Sequence, residues 1–331
     1  MPRFLRQVLV QDESFAVSSL RTDDLPVNPL SMILVTIRSL NDTAALGNFS
    51  LVNALLNQVA KLEVLYKGSA VVSGSLADLA RLYGFMIGHP PAQTSATYVD
   101  NTTRAVTIPI LLGRRPFWAE ECFPAVRRGE LQLQMTSAAA QTGVDTMTVQ
   151  IETVELLDAK PTRFLKATTI SKTPTATGDH DVDLPIGNKI AHALLFGTTV
   201  PTAASFNASF GQLRLLLDNV EAYYARTNWE TLHNEMQRRI SEGTQSSMHQ
   251  HLENVAGAYA QNATTDDNNT NVGFFDQYAL LDFDPLNDGS YLLDTAGRAR
   301  VHLRINADVA DAIRIIPTEL IDVQTAGIVA G

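Results

Sequence analysis

Cysteine is almost absent from this chain: Cys122 is the only one among 331 residues. A single thiol forms no intrachain disulfide and builds no cysteine-based zinc site, so neither an oxidised framework nor a zinc fold holds the chain together. Charge is sparse at 18% and tilted towards acid, with 25 Lys and Arg against 35 Asp and Glu. That balance speaks against a surface that coats nucleic acid through clustered basic residues and against sequence-specific nucleic-acid binding. Tryptophan occurs twice, at Trp118 and Trp229. Long apolar runs are missing: no window approaches the roughly 18 residues of a spanning helix. The start, MPRFLRQVLV, has neither the apolar stretch nor the small-residue cleavage site of a signal peptide. Together these point to a protein that is not exported by that route and is assembled in a reducing cytoplasm.

Chemical motifs are missing too. There is no P-loop, no Gly-x-Gly-x-x-Gly turn and no Gly-x-Ser-x-Gly elbow. Cys122 lies between acidic Glu120-Glu121 and Phe123-Pro124, the setting of a buried structural thiol rather than a nucleophile. The reading is therefore no enzyme and no cofactor. Two metal signals are weak. His249-x-His251 with Glu253 sits in a Gln- and Ser-rich stretch and reads as a solvated pair. Asp282, Asp284 and Asp288, with Gly289, resemble part of a calcium loop, but the spacing departs from that of an EF-hand and no bidentate Glu follows in place, so Asx turns at a strand end are the preferred reading.

What is abundant is short strand patterning. Ser31–Arg38, Lys61–Tyr66, Ala105–Leu112, Glu130–Thr136 and Thr146–Val154 mix β-branched residues with period-two alternation, clearest in Leu131-Gln132-Leu133-Gln134-Met135. Phe164–Ile170, Ile190–Phe196, Gln212–Leu217, Tyr278–Phe283, Ala299–Ile305 and Ala312–Ile316 follow, separated by Gly, Pro, Asn and Asp. Three segments have helical spacing instead: Phe49 to Val59, Leu76 to Met86 opened by Ser75 with Asp78 three residues on, and Trp229 to Ile240 opened by Thr227 with Glu230 three on. Many short strands and few helices predict an all-β fold of sandwiches or barrels.

The order strand, capped helix, strand, connection, two strands occurs twice, which suggests a duplicated architecture. The break falls near Leu157–Pro161, giving residues 1–157 and 158–331 as two barrels. The first part holds 12 basic and 14 acidic residues and the second 13 and 21, so the second faces more water. Ser241–Asn271, polar and without a strand pattern, reads as a long excursion from the second barrel. The connection Gly113–Arg128 carries Arg114, Arg115, Phe117, Trp118, Arg127 and Arg128. Arg and aromatics close together are the composition of protein–protein contacts, and these six are the candidate subunit-interface residues, with Pro285–Arg298 as the counterpart in the second half. The N-terminal Arg3 and Arg6 make Met1–Arg6 basic for its length, suited to anionic lipid or genome.

This layout resembles the double jelly-roll major capsid proteins of tailless icosahedral, often membrane-containing viruses. The carrying features are Ser18–Pro26 leading into a strand pair, the repeated strand–helix–strand order, and Tyr278–Asp294. The resemblance implies two tandem jelly-roll barrels with short decorating helices and homotrimers whose six barrels form a pseudo-hexagonal capsomer. It implies partners among its own copies, penton or minor capsid proteins, and an internal membrane or genome near the N-terminus. It also implies a place in the virion and no catalytic residues. The alternatives are a receptor- or carbohydrate-binding jelly roll of a spike or fibre, and a cupin-like metalloenzyme.

Overall fold

A computed structural model of the chain describes residues 3–41, 55–91, 103–139, 144–201, 205–240, 252–255, 258–261, 274–324 and 326. In the first half the strands are β1 (Arg3–Ser14), β2 (Leu20–Asp24), β3 (Leu30–Asn41), β4 (Val59–Tyr66) and β5 (Ser69–Gly74); helix α1 (Leu76–Ile87) follows, then β6 (Thr103–Leu111), β7 (Leu131–Ser137) and β8 (Val144–Leu157). They form two facing four-strand layers, β1-β8-β3-β6 and β5-β4-β7-β2, the jelly-roll arrangement. The second half repeats it with β9 (Arg163–Thr168), β10 (Ile170–Lys172), β11 (Gly178–Asp183), β12 (Lys189–Gly197), β13 (Gln212–Leu217), β14 (Val220–Glu221) and β15 (Thr227–Asn228). Helix α2 (Trp229–Arg238), the hairpin β16 (Leu252–Val255) and β17 (Ala258–Gln261), then β18 (Tyr278–Asp282), β19 (Leu293–Asp294), β20 (Val301–Ala307) and β21 (Ile313–Asp322) complete it. Its layers are β18-β12-β21-β9 and β11-β20-β13-β14.

Besides a single parallel bridge from Glu121 to Arg163, one short parallel strand pairing joins the halves. Val72 and Ser73 of β5 pair with Ala167 and Thr168 of β9, so a layer of the first barrel continues into a layer of the second. Because the pairing is parallel, both barrels point the same way. Strand directions then put the links 25–29, 67–68 and 112–130 at one end, together with 184–188, 218–219 and 283–300. The connections carrying α1, α2 and the β16–β17 hairpin open at the other.

The sheet β18-β12-β21-β9 is buried on both faces. Ile190, Ala193, Leu195, Ala279, Leu281, Ile313 and Ile315 belong to the second barrel's core. Ala191, Leu194, Tyr278, Leu280, Ile316 and Leu320 belong to a core that runs into the first barrel. A sheet covered on both sides reads as continuous apolar sequence rather than alternation, which is why Ile190–Phe196 shows no clean period. Single-sided β7 alternates strictly between buried and half-buried positions.

Helix α1 fills the seam between the barrels. Ser75 caps it, its Oγ accepting from the Asp78 N–H at 3.0 Å, and Gly88 ends it in the left-handed region, donating to the carbonyls of Gly84 and Phe85. The apolar stripe from Leu76 to Tyr83 is buried as expected, but Asp78, Arg81 and Leu82 on the remaining surface are buried too, because barrels lie on both sides. In α2 the expected Thr227 cap is replaced by Asn228, which makes no side-chain cap bond. Of the expected helix from Phe49 to Val59, residues 49–54 lie outside the described residues, and Leu55 and Leu56 form a helical turn. The 241–271 excursion lies largely outside them as well; the part described pairs as β16–β17, strands its composition did not announce.

Replacing Leu82, fully buried in α1, by Ala should lower stability by about 3 kcal/mol in urea unfolding, and Ser75→Ala by about 1 kcal/mol.

Candidate assembly interface

The connection after β6 is shaped by close backbone packing. A Cβ on Gly113 would collide with the carbonyl of Glu121, so only glycine lets these two strands of the loop touch. Phe123 bridges to Leu30 and Glu121 to Arg163, anchoring the loop on β3 and β9. Cys122 is buried within it, and burial pushes its thiol up to about 12, so it stays protonated at neutral pH.

This packing puts Arg114 inside the molecule, 4% exposed. Its guanidinium makes a bidentate pair with Glu121, Nε to Oε2 at 2.8 Å and Nη2 to Oε1 at 2.5 Å. Its third arm, Nη1, reaches Asp284 Oδ2 at 2.5 Å on the second barrel. Arg115 donates to the Asn287 carbonyl, and both arginines lie against Trp118, at 5.2 and 5.4 Å from the ring centre. The connections 113–128 and 285–298, expected to occupy equivalent outer walls, instead meet each other within one chain where 114–118 faces 284–287. Arg114 is an internal strut. Phe117 is different: half exposed at φ 60°, it lies edge-on to Phe4 with ring centres 5.4 Å apart. Arg127 and Arg128 are exposed in the turn before β7, beside the β4–β5 turn, and join neither group.

Phe4, Leu5 and Val8 had no strand signal strong enough to mark them. They lie on β1, the open edge of its sheet, and are exposed, Phe4 beside Phe117. Exposed apolar side chains on an unpaired strand edge form a surface that a partner would cover. The basic start is not a free tail: Arg3 and Arg6 are strand residues paired with Asp158 at 3.3 Å and Glu152 at 2.5 Å, and Arg6 holds the Glu152 carboxyl below the usual carboxylate range.

The three aspartates of the candidate calcium loop serve separate partners. Asp282 pairs with Arg239 and takes the Asp284 N–H at 2.7 Å; Asp284 binds Arg114 and the Gly289 N–H; Asp288 accepts from Ser290 N–H, an Asx turn. No group of three metal-ligating side chains occurs among the described residues, and His249 and His251 lie outside them.

A second polar clamp crosses the seam near the start of α1. Tyr278 Oη donates to Asp78 Oδ1 at 2.6 Å, and Arg314 grips the same carboxylate at 2.7 and 2.8 Å while stacking on Phe196. Arg81 donates to the carbonyl of Phe274 at 2.7 Å and lies over its ring. The Asp78 side chain, expected to complete a capping box, is aimed across the seam instead. Between the two clamps sits His192, 3% exposed, edge-on to Phe85 of α1. Burial first, and Arg114 and Arg239 next, hold its ring neutral down to about 3, since the nearby Asp282 is taken by Arg239.

Arg114→Ala would leave buried Asp284 without its cation and Glu121 with only Arg163 at 3.4 Å, and should cost about 3–5 kcal/mol in chemical denaturation, whereas Arg115→Ala should cost less than about 1 kcal/mol. His192 adds a pH dependence. Its pKa is lower folded than unfolded, so the unfolded chain binds the extra proton and stability falls as pH drops from the unfolded value of about 6.5 towards 3. His192→Gln should flatten that slope in denaturation curves taken from pH 7 to pH 4.

Comparisons place this geometry. No protein-family model matches the chain, and no curated protein matches it. Solved structures do. The crystal structure of the major capsid protein of Sulfolobus Turreted Icosahedral Virus is 14% identical, with TM-score 0.67, over 99% of this chain and 100% of that one. The major capsid protein P2 of bacteriophage PM2 is 12% identical, with TM-score 0.59, over 97% of each chain. The PBCV-1 virus capsid model is 10% identical, with TM-score 0.57, over 97% of this chain and 94% of that one. From β1 to β21, the chain has the double jelly-roll fold of viral major capsid proteins.

Proposed function

We propose that this chain is the structural major capsid protein of an icosahedral virus, a homotrimer whose six barrels stand side by side as a pseudo-hexagonal capsomer. The observation that carries the reading is coverage: the likeness to the Sulfolobus Turreted Icosahedral Virus protein spans 99% of this chain and all of that one, leaving no separate unit for binding or catalysis. The parallel β5–β9 contact supports it, because two co-oriented barrels form an upright block with both helix-bearing connections opening at one end. Its place is then the virion, after assembly in the host cytoplasm, with its own copies and penton or minor capsid proteins as partners. The end opposite the helix-bearing connections, where β1 begins, would face an internal membrane or the genome without reading sequence. The function is not enzymatic.

The outer contact between subunits is assigned to Phe4, Leu5 and Phe117, with Arg115 at its polar margin and Arg127 and Arg128 as a separate exposed patch in the turn before β7. The rival reading, a sugar-binding jelly roll, loses its best aromatic platform, since Trp229 is 2% exposed and stacked on Phe210.

Light scattering on purified protein should give three times the 36.1 kDa chain mass. An obligate contact of this kind buries more than ~1,000 Å². Phe4→Asp with Phe117→Asp should shift the protein towards folded monomer, while reversal of Arg127 and Arg128 should weaken the trimer less. A folded wild-type monomer at micromolar concentration, unchanged by crosslinking, would remove the capsid reading.

A further inference from the structure

Glu319 is a buried carboxylate, 2% exposed, in the middle of three adjacent strands. On one side it stands opposite Lys166 of β9, on the other opposite Ile190 of β12, next to Asn188. Lys166 Nζ lies 3.1 Å from its Oε1, and Asn188 Nδ2 donates to its Oε2 at 2.8 Å. An amine and a carboxamide thus hang on the two oxygens of one buried acid. The backbone of Asn188 is held in turn: its carbonyl accepts from the Thr295 hydroxyl at 2.5 Å and the Thr295 N–H at 3.3 Å. Lysine's four-carbon stem has rotatable bonds through which Nζ can be brought towards the amide carbon.

We propose that Lys166 and Asn188 condense to an intramolecular isopeptide bond, with Glu319 carrying the proton. The step starts from the tautomer in which a Lys166 proton has passed to Glu319 along their 3.1 Å contact, giving free amine and carboxylic acid. The acid donates to the amide oxygen and the Nζ lone pair attacks Asn188 Cγ. In the tetrahedral intermediate Glu319 moves a proton from Nζ to Nδ2, the Cγ–Nδ2 bond breaks, and ammonia leaves, taking up the remaining proton as ammonium. The Nζ–Cγ amide forms, Glu319 ends as carboxylate, and no oxidant or cofactor enters the balance. The product ties β9 to the β11–β12 connection across β21, a covalent staple at the end of the second barrel opposite α2.

The test is mass spectrometry of the denatured full chain after folding, with peptide mapping. The expected result is a mass lower than the sequence mass by one ammonia, together with a branched peptide joining the Lys166 and Asn188 segments. Glu319→Gln should abolish both, and so should Lys166→Arg, which keeps the charge opposite Glu319 and so the fold. Folded wild-type protein at full sequence mass would overturn the proposal. Loss of ammonia without the branched peptide would overturn it too, since a succinimide at Asn188 has that mass.

Discussion

The sheet β18-β12-β21-β9 must serve two cores at once, and most of the molecule is arranged around that demand. One face closes the second barrel; the other lies against α1 and the first barrel. A strand in such a place has no wet side for its polar residues. Those it carries, His192, Thr318, Asp282 and Glu319, must find partners inside the protein. They do: Thr318 Oγ1 accepts from the His192 N–H, Asp282 meets Arg239, and Glu319 meets Lys166 and Asn188.

The same demand explains the charges in the seam. Arg114 with Glu121 and Asp284, and Arg314 with Asp78, are ion pairs taken out of water, where desolvation offsets much of the attraction. Their value lies in direction: a bidentate guanidinium accepts one geometry, and a misaligned pair leaves an uncompensated buried charge. Apolar packing alone would tolerate a small slide of one barrel on the other; two clamps at opposite ends of α1 do not. In a shell the angle between barrels sets the outline of the block and so how blocks meet.

Much of the fold was legible because its signals are local. Leu131 to Met135 alternates since one face of β7 looks into a barrel. Ser75 announces α1 because a helix start exposes N–H groups that a hydroxyl can meet. Other strands were hidden for equally physical reasons. Gly178–Asp183, GDHDVD, has no apolar alternation, yet forms β11, where Asp181 is held by Arg304 of β20 at 2.8 and 3.1 Å and by Arg300. β1 is an edge strand exposed along nearly its whole length, so burial imposes no period on it.

The candidate site divides the same way. Sequence alone determined the β-rich class, the duplicated order and the Arg- and aromatic-rich character of 113–128, because composition and periodicity respond to what lies on each side of a strand. Which of those residues face outward was settled only by tertiary structure. Arg114 and Arg115 are neighbours of like type, yet one is buried between barrels and the other exposed. The difference comes from Asp284, 170 residues away, and from the glycine that lets Glu121 close in. Lys166, Asn188 and Glu319 likewise carry no common signal along the chain. Strand register alone makes them neighbours, and register is a property of the folded sheet.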